Sequence, residues 1–328
     1  SVKKGLAAAF QKFDAYSLAK YNQDNPIKLR DVLFLVHAKP KDAEQAKTWK
    51  KLVNGKLETP DTWEVALSAS NGEGKREIWE RLLRESKLGP LALLRNLRNM
   101  SEADVDKGLI RAALANCKPD KVLPFRFLSA AKSAPQFEDE LNNLMLVCCS
   151  QMDKLPGETI LIVDVSGSMY GPNVSAKSDI NRAQAACALA ALVREVCESA
   201  DIYATAGNDY DQEHQTASVP NRRGIPLIDA IYAMCRPLGG GGIFTKQVLD
   251  WVWEQRHGKT ADRVIVITDE QDCDTSNKDS SKFRQIATNQ YMLNVNGYKN
   301  SIAYGPWVRV NGWSERAVDF IRELEKQQ

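Results

Sequence analysis

A short segment near the middle of the chain carries oxygen ligands at a spacing that suits a metal ion. Residues 164–169 read Asp-Val-Ser-Gly-Ser-Met, so one carboxylate and two hydroxyls share a tight loop that the glycine permits. Ser166 and Ser168 can bind Mg²⁺ or another hard divalent cation directly, while Asp164 holds a water bound to the ion. In isolation, the same residues would more often stabilise a turn by hydrogen bonds.

Two further segments supply ligands of the same kind. Thr245 closely follows a run of four glycines, and Asp269 comes directly after an apolar run. The carboxyl ends of strands in a doubly wound sheet meet at one edge, so these side chains should reach the same point. Because three strand ends agree, the sequence favours a metal site over a simple turn, with these ligands: Asp164, Ser166, Ser168, Thr245 and Asp269.

The second half of the chain has the pattern of elements that could position such a site. Apolar strands alternate there with helices, which predicts a mainly parallel sheet covered on both faces. The predicted strands are 159–165, 202–206, 263–268, 291–295 and 307–310, and the predicted helices are 181–198, 226–235, 246–255 and 314–325.

The first half of the chain reads as one helix after another. One apolar stripe covers residues 29–36 and stops before Pro40, and the longest helix is predicted to run from Phe137 to Leu155. We find no strand pattern before residue 158 and place the boundary at residues 155–158. The sequence thus predicts an α plus α/β protein: a HEAT-like helical-repeat domain at 1–157 and a doubly wound α/β domain at 158–328.

Composition excludes several classes of protein. With 43% apolar and 26% charged residues, the chain of 328 residues is not a disordered protein. Its apolar runs are too short to cross a membrane, and its first residues do not form a signal peptide, so we expect a cytoplasmic protein. Seven cysteines without a C-x-x-C pair, and only three histidines, argue against a disulfide framework or a zinc site.

Charge is distributed unevenly along the chain. The first 132 residues contain 25 Lys and Arg against 16 Asp and Glu, whereas the whole chain has a net charge of +2. Such an excess predicts a face that binds a polyanion, although scattered, solvated lysines would produce the same count.

The residues of the predicted metal site resemble the metal-ion-dependent adhesion site of von Willebrand factor A domains. The resemblance covers residues 158–328 and rests on the D-x-S-x-S segment, Thr245 and Asp269. One departure is that Ile243 and Phe244 separate the glycines from Thr245, where related proteins have Gly and Thr adjacent. The resemblance implies a noncatalytic Mg²⁺ with one coordination position open to an acidic residue of a partner.

The helical half resembles the TROVE module of Ro autoantigen proteins. The matching segments are His37-Ala38-Lys39-Pro40, then 90–97 (Pro-Leu-Ala-Leu-Leu-Arg-Asn-Leu), 124–128 (Pro-Phe-Arg-Phe-Leu) and a final stretch from Gly312-Trp313 to Arg322. The resemblance implies a ring of helical repeats that binds small noncoding Y RNAs on its outside and passes single-stranded 3′ ends of misfolded RNA through a basic hole. The 157 residues available match the carboxyl-terminal half of that module.

Several basic residues are candidates for contacts with RNA phosphates. The turn from His37 to Lys41 combines the family match with local positive charge. Alternatively, His37 merely ends a helix, and Arg95 and Arg98 bond neighbouring helices. Trp49, Trp63 and Trp79 fall within apolar stripes and are predicted to be core residues. The candidate RNA-binding residues are His37, Lys39, Lys41, Arg95, Arg98 and Arg126.

Three functions follow from these features. The leading hypothesis is a nonenzymatic Ro-like protein that binds Y or Y-like RNA and 3′ ends in noncoding RNA quality control or processing. The second is a protein-interaction module in which Mg²⁺ bridges to a carboxylate of an exoribonuclease or another protein, with the helices as scaffold. The third is a metal-dependent nuclease or hydrolase that uses Asp269, Glu270, Asp272 and Asp274, and it is disfavoured because neutral hydroxyls dominate the site.

Overall fold

The computed structural model describes most of the chain, namely residues 2–22, 25–58, 62–69, 74–119, 122–171, 173–174, 180–274, 283–296, 306–312, 314 and 316–327. Within these ranges, helices precede the first strand: α1 (Val2–Phe10), α2 (Ala15–Tyr21), α3 (Leu29–Val36), α4 (Ala43–Val53), α5 (Trp63–Ala69), α6 (Lys75–Arg84), α7 (Pro90–Glu102), α8 (Lys107–Ala115), α9 (Phe125–Ser133) and α10 (Glu138–Ser150).

The chain forms two compact units. One contains Ser1–Gly89 and Asn99–Ala113, and the other contains Pro90–Arg98 and Leu114–Gln328. This division differs from the predicted boundary at 157, because the helices from residue 114 onward belong to the same unit as the sheet. The first strand also begins at Leu155, which pairs with Cys197.

The first unit is held by a small apolar core of helices α1 to α4. Phe10 and Trp49 pack edge to face with ring centroids 5.9 Å apart, and Leu18, Leu33 and Leu52 surround them. Burying a side chain of this size stabilises the fold by about 1.5–3 kcal/mol. Trp49 and Trp79 are buried, which confirms their predicted place in the core, and Trp63 stacks on Trp79.

The second unit is built around a six-stranded sheet. Its elements are β1 (Leu155–Asp164), α11 (Gly167–Tyr170), α12 (Arg182–Val196), β2 (Cys197–Asn208), β3 (Glu213–Ser218), α13 (Ile225–Tyr232), α14 (Thr245–Gln255), β4 (Ala261–Thr268), β5 (Ala287–Asn294), β6 (Trp307–Asn311) and α15 (Arg316–Glu325). The strand order is β3-β2-β1-β4-β5-β6, and every neighbouring pair is parallel except β2 with β3. The predicted class, a helical part followed by a doubly wound α/β domain, is confirmed.

Burial explains why the strands and helices lie where they do. The run from Ile160 to Val163 is fully buried because β1 lies at the centre of the sheet with helices on both faces. Helix α12 is rich in alanine and buried along nearly its whole length, so it packs closely against its neighbours. Near the amino end of β4, Arg263 forms a largely buried ion pair with Glu325, and this pair ties α15 to the sheet.

Two details of the sequence prediction are wrong. Leu155 belongs to β1 and not to the helix from Phe137, because α10 ends at Ser150. Strand β3 is also absent from the prediction, because its residues Glu-His-Gln-Thr-Ala-Ser are polar and it pairs antiparallel at the edge of the sheet. Trp313 lies outside the described residues.

None of the helices in the described ranges combines the length and the apolar character that a membrane span requires.

Candidate functional site

The loop after β1 brings the aspartate and two serines together. Asp164 is the last residue of β1, and Ser166 precedes the short helix α11. The Ser166 amide donates a hydrogen bond of 2.8 Å to Asp164 Oδ1, and the hydroxyls of Ser166 and Ser168 are hydrogen-bonded at 3.2 Å. Asp164 and Ser166 are fully buried, so their oxygens point into the protein and not into bulk water.

The end of β4 joins the same cluster. Ser168 Oγ donates a hydrogen bond of 3.4 Å to Asp269 Oδ1, and Thr268 Oγ1 donates one of 2.6 Å to Asp164 Oδ2. The neighbouring parallel strands β1 and β4 therefore place four of the five predicted ligands in one hydrogen-bonded group.

Thr245 is positioned separately, as the first residue of α14. Its amide donates a hydrogen bond of 3.0 Å to Asp272 Oδ2, and it makes none to the other four predicted ligands. Its hydroxyl oxygen is buried and has no hydrogen-bond partner among the described residues. An orphaned buried hydroxyl is costly, and a ligand would offset that cost.

Glycines allow the loop after β1, the segment between α13 and α14, and the end of β2 to approach each other. The amide of Gly167 donates a hydrogen bond to Gly241 O at 3.0 Å, and that of Gly241 donates one to Gly207 O at 2.9 Å. A Cβ on Gly167 would lie 2.7 Å from Gly240 O, and one on Gly241 would lie 2.5 Å from Gly207 O. Such contacts with backbone are too short, so only glycine fits at these positions.

The two carboxylates of the site repel each other. Burial and the neighbouring Asp269 carboxylate raise the pKa of Asp164 to about 7. A divalent cation between them would lower that pKa. The donor set of two carboxylates and several hydroxyls suits Mg²⁺. A different kind of metal site, made of three or more His, Cys, Asp or Glu side chains, does not occur in the described ranges.

Sequence analysis missed one charged residue at this site. Arg182 opens α12, and its Nη1 donates a hydrogen bond of 2.9 Å to Asp269 Oδ2 in a buried ion pair. A basic residue at the first position of a helix opposes the helix dipole, and this was the signal that could have indicated a buried acidic partner.

The other acids after β4 are engaged elsewhere. Glu270 pairs with Arg309 at 2.7 Å, and Asp272 accepts hydrogen bonds from the amides of Thr245 and Asp274. Burial raises the pKa of Asp272. A two-metal hydrolase needs carboxylates that converge on both ions, and this arrangement does not favour one.

The predicted RNA-binding turn is a loop in the first unit, and two glutamine side chains hydrogen-bond to its backbone. His37 ends α3 with a left-handed φ of 51°, and its side chain and those of Lys39 and Lys41 are exposed. Gln11 Nε2 donates a hydrogen bond to Lys39 O, and Gln45 Oε1 accepts one from the Lys41 amide, both at 3.0 Å. Gln45 Nε2 also donates to Gln11 O at 3.0 Å.

These two glutamines form what we call the glutamine clamp, Gln11 and Gln45, which sequence analysis did not identify. The clamp fixes the backbone of the loop and leaves its basic side chains free to contact a ligand. The imidazole of His37 makes no hydrogen bond to a described residue, so His37 is a helix end whose side chain remains available.

The other three predicted residues lie in the second unit. Arg95 and Arg98 are exposed on α7, and Arg126 is exposed on α9. Arg98 has an interaction within the protein. His37, Lys39 and Lys41 thus belong to one compact unit, and Arg95, Arg98 and Arg126 belong to the other.

Basic residues differ in whether acids neutralise them. On α6, Arg76 and Arg84 both pair with Glu80, at 3.0 and 2.9 Å. Lys47 and Lys50 on the exposed face of α4 make no ion pair with any described residue, nor do Lys39 and Lys41. The unneutralised charge of the first unit therefore includes the loop and the adjoining helix α4.

Comparison with known proteins identifies one family and two curated relatives. The family model of the TROVE domain matches residues 43–236, from the start of α4 to just beyond α13. Telomerase protein component 1 from Mus musculus is 33% identical over 94 residues, or 27% of this chain and 4% of that protein. Its counterpart from Rattus norvegicus is 32% identical over 94 residues, again 4% of that protein. The chain thus spans only a small part of both telomerase proteins.

A solved structure shares the fold. The crystal structure of the Deinococcus radiodurans Ro (RSR) protein superposes with a TM-score of 0.63 and covers 97% of this chain and 75% of its own. At 18% sequence identity, this likeness shows the fold alone.

Proposed function

This chain belongs to the TROVE family, whose match covers residues 43–236, and we propose that it is the RNA-binding protein of a ribonucleoprotein. The proposed ligands are small noncoding RNA of the Y or Y-like kind and the single-stranded 3′ ends of misfolded RNA. The protein would act in noncoding RNA quality control or processing in the cytoplasm.

The observation that carries this proposal is the exposed, unneutralised charge on a fixed loop. RNA binding without sequence preference is mainly electrostatic, because cations that contact phosphates release counterions. Lys39 and Lys41 have no acidic partner among the described residues, and the glutamine clamp holds their backbone, so little backbone entropy is lost when they bind. His37 adds a donor beside them, and Arg95, Arg98 and Arg126 are further candidate contacts.

The proposed Mg²⁺ site is noncatalytic. Asp164, Ser166, Ser168, Thr245 and Asp269 would hold the ion, and the unpartnered Thr245 hydroxyl supports this assignment. When bound, the ion would supply positive charge to a ligand at its open position. Because neutral hydroxyls dominate the donors and the nearby acids have other partners, we propose no reaction at this site.

Gel-shift titration with a duplex that has a single-stranded 3′ tail tests the RNA proposal. We expect Lys39→Gln and Lys41→Gln each to weaken binding and to lower the slope of log affinity against log salt by about 0.7, the value for one phosphate of a single strand. Arg84→Gln is the matched control, since it removes an exposed charge that Glu80 already neutralises. Affinity that ignores salt and both lysine variants would refute the proposal.

A second candidate function is supported by the Thr245 hydroxyl. A bound Mg²⁺ could accept a carboxylate of an exoribonuclease or another protein, with the helical part as scaffold. Capture of a candidate exoribonuclease should then be lost in a chelator and in Ser166→Ala, while gel-shift affinity for RNA stays within about twofold. Capture that survives chelation while RNA binding fails would reject this division of roles.

A further inference from the structure

Arg182 occupies an unfavourable position that its own helix does not explain. It is the first residue of α12, directly after the cap residue Asn181, whose side chain accepts a hydrogen bond of 2.8 Å from the Gln184 amide. The amino end of a helix carries partial positive charge, so a cation there is disfavoured. The side chain is also 7% exposed, which removes most of its hydration.

The partner of Arg182 offsets these costs. Asp269 is fully buried, and its Oδ2 accepts the hydrogen bond of 2.9 Å from Arg182 Nη1. Its Oδ1 accepts weaker hydrogen bonds from Ser168 Oγ at 3.4 Å and from the Gln271 amide at 3.3 Å. Arg182 therefore makes the shortest of these three hydrogen bonds to a proposed metal ligand.

The ion pair changes the charge that a metal ion would meet. When both carboxylates are ionised, as they are when they bind a cation, Asp164 and Asp269 together carry a charge of −2, and the Arg182 guanidinium reduces the charge of the group to −1. Coulomb attraction for a divalent cation falls with the charge of the site, and the fall is large where water is excluded.

We infer that Arg182 is a resident cation that competes with the divalent ion for Asp269 and sets the metal affinity of the site. Arg182 neutralises Asp269 and holds it in place. A bound ion has to share Asp269 with the guanidinium or displace it, so binding is weaker and the ion exchanges more readily. This inference rests on the proposed metal site.

Calorimetric titration of the full chain with Mn²⁺ tests the inference. We expect Arg182→Gln, which keeps a polar side chain and removes the charge, to lower the Kd for Mn²⁺ by at least about tenfold, the equivalent of 1.4 kcal/mol. Arg182→Lys, which keeps the charge, should stay within about threefold of the natural chain. Arg194→Gln is the matched control, because it removes a charge elsewhere on α12 beside Glu195.

Thermal unfolding gives a second readout. Without metal, Arg182→Gln should unfold at a lower temperature than the natural chain, because the buried Asp269 carboxylate then lacks its cation. Addition of Mn²⁺ should raise the melting temperature of this variant more than that of the natural chain. If Arg182→Gln does not fold, ¹⁵N spectra of the natural chain test the same point, since the Arg182 side-chain signal, assigned by its loss in Arg182→Lys, should shift on titration with Mg²⁺, which is diamagnetic and does not broaden it.

The outcomes separate this inference from the metal proposal itself. If the natural chain binds Mn²⁺, and Asp164→Ala abolishes that binding, the metal proposal stands. The inference then fails if Arg182→Gln binds no more tightly, or if the Arg182 signal stays unchanged. If neither the natural chain nor Arg182→Gln binds Mn²⁺, the metal proposal is overturned and this inference falls with it.

Discussion

The glutamine clamp offers a way to disturb the proposed RNA-binding loop without changing its charge. Gln45 is buried, and its side chain makes two hydrogen bonds of 3.0 Å, one from the Lys41 amide and one to Gln11 O. Gln45→Ala removes both and leaves these two backbone groups unpaired. At about 1 kcal/mol for each partly buried hydrogen bond, the free energy of unfolding should fall by about 2 kcal/mol.

Gln45→Ala should also weaken RNA binding, because the loop that carries Lys39 and Lys41 becomes less ordered. RNA binding then has to order the loop, which the clamp does in the natural chain. The binding free energy is weakened by up to about 2 kcal/mol, which raises the Kd about thirtyfold. The salt slope should not change, because Lys39 and Lys41 keep their charges. This combination distinguishes the clamp variant from a charge variant, which lowers the slope.

Urea unfolding and gel-shift titration at several salt concentrations measure the two effects. Thr62→Val is the control, since it removes the cap hydrogen bond of 3.3 Å that the Val65 amide donates to Thr62 Oγ1 at α5 and leaves the loop intact. It should cost about 1 kcal/mol of stability and leave RNA affinity unchanged. Loss of stability in Gln45→Ala with RNA affinity within twofold of the natural chain would refute the role assigned to the clamp.

Other predictions concern the second unit. Arg263→Gln leaves the largely buried Glu325 without its cation and should lower the free energy of unfolding, measured in urea, by about 3 kcal/mol. Lys326→Gln, which changes an exposed ion pair, should change it by less than about 1 kcal/mol. Burial lowers the pKa of His214, so the native state resists its protonation and stability falls as pH drops below 6.5. His214→Gln should flatten that part of a melting-temperature profile measured from pH 7.5 to 5, and an unchanged slope would contradict this account. In Gly167→Ala the new Cβ would lie 2.7 Å from Gly240 O, so the free energy of unfolding should fall by about 1–3 kcal/mol and Mn²⁺ binding should weaken. Unchanged stability and unchanged Mn²⁺ affinity would show that the segments carrying Gly167 and Gly240 can move apart.

The sequence determined those parts of the molecule whose signals are local. Apolar runs such as 160–163 are long enough to define buried strands, and parallel order follows from their alternation with helices. Asp164 and Asp269 could be placed near each other for the same reason, since each stands at the carboxyl end of a strand. The prediction for Trp49 and Trp79 succeeded because the helical period alone assigns a buried face.

The tertiary structure decided what depends on residues far apart in the chain. Arg182 meets Asp269 across 87 positions, and Gln45 reaches Gln11 across 34, and no periodicity marks such partners. Strand β3 has a polar sequence and exists because β2 offers it an edge to pair with. Which charged side chains are neutralised was decided in the same way, because neutralisation depends on the acid or base that folding brings within reach of each side chain.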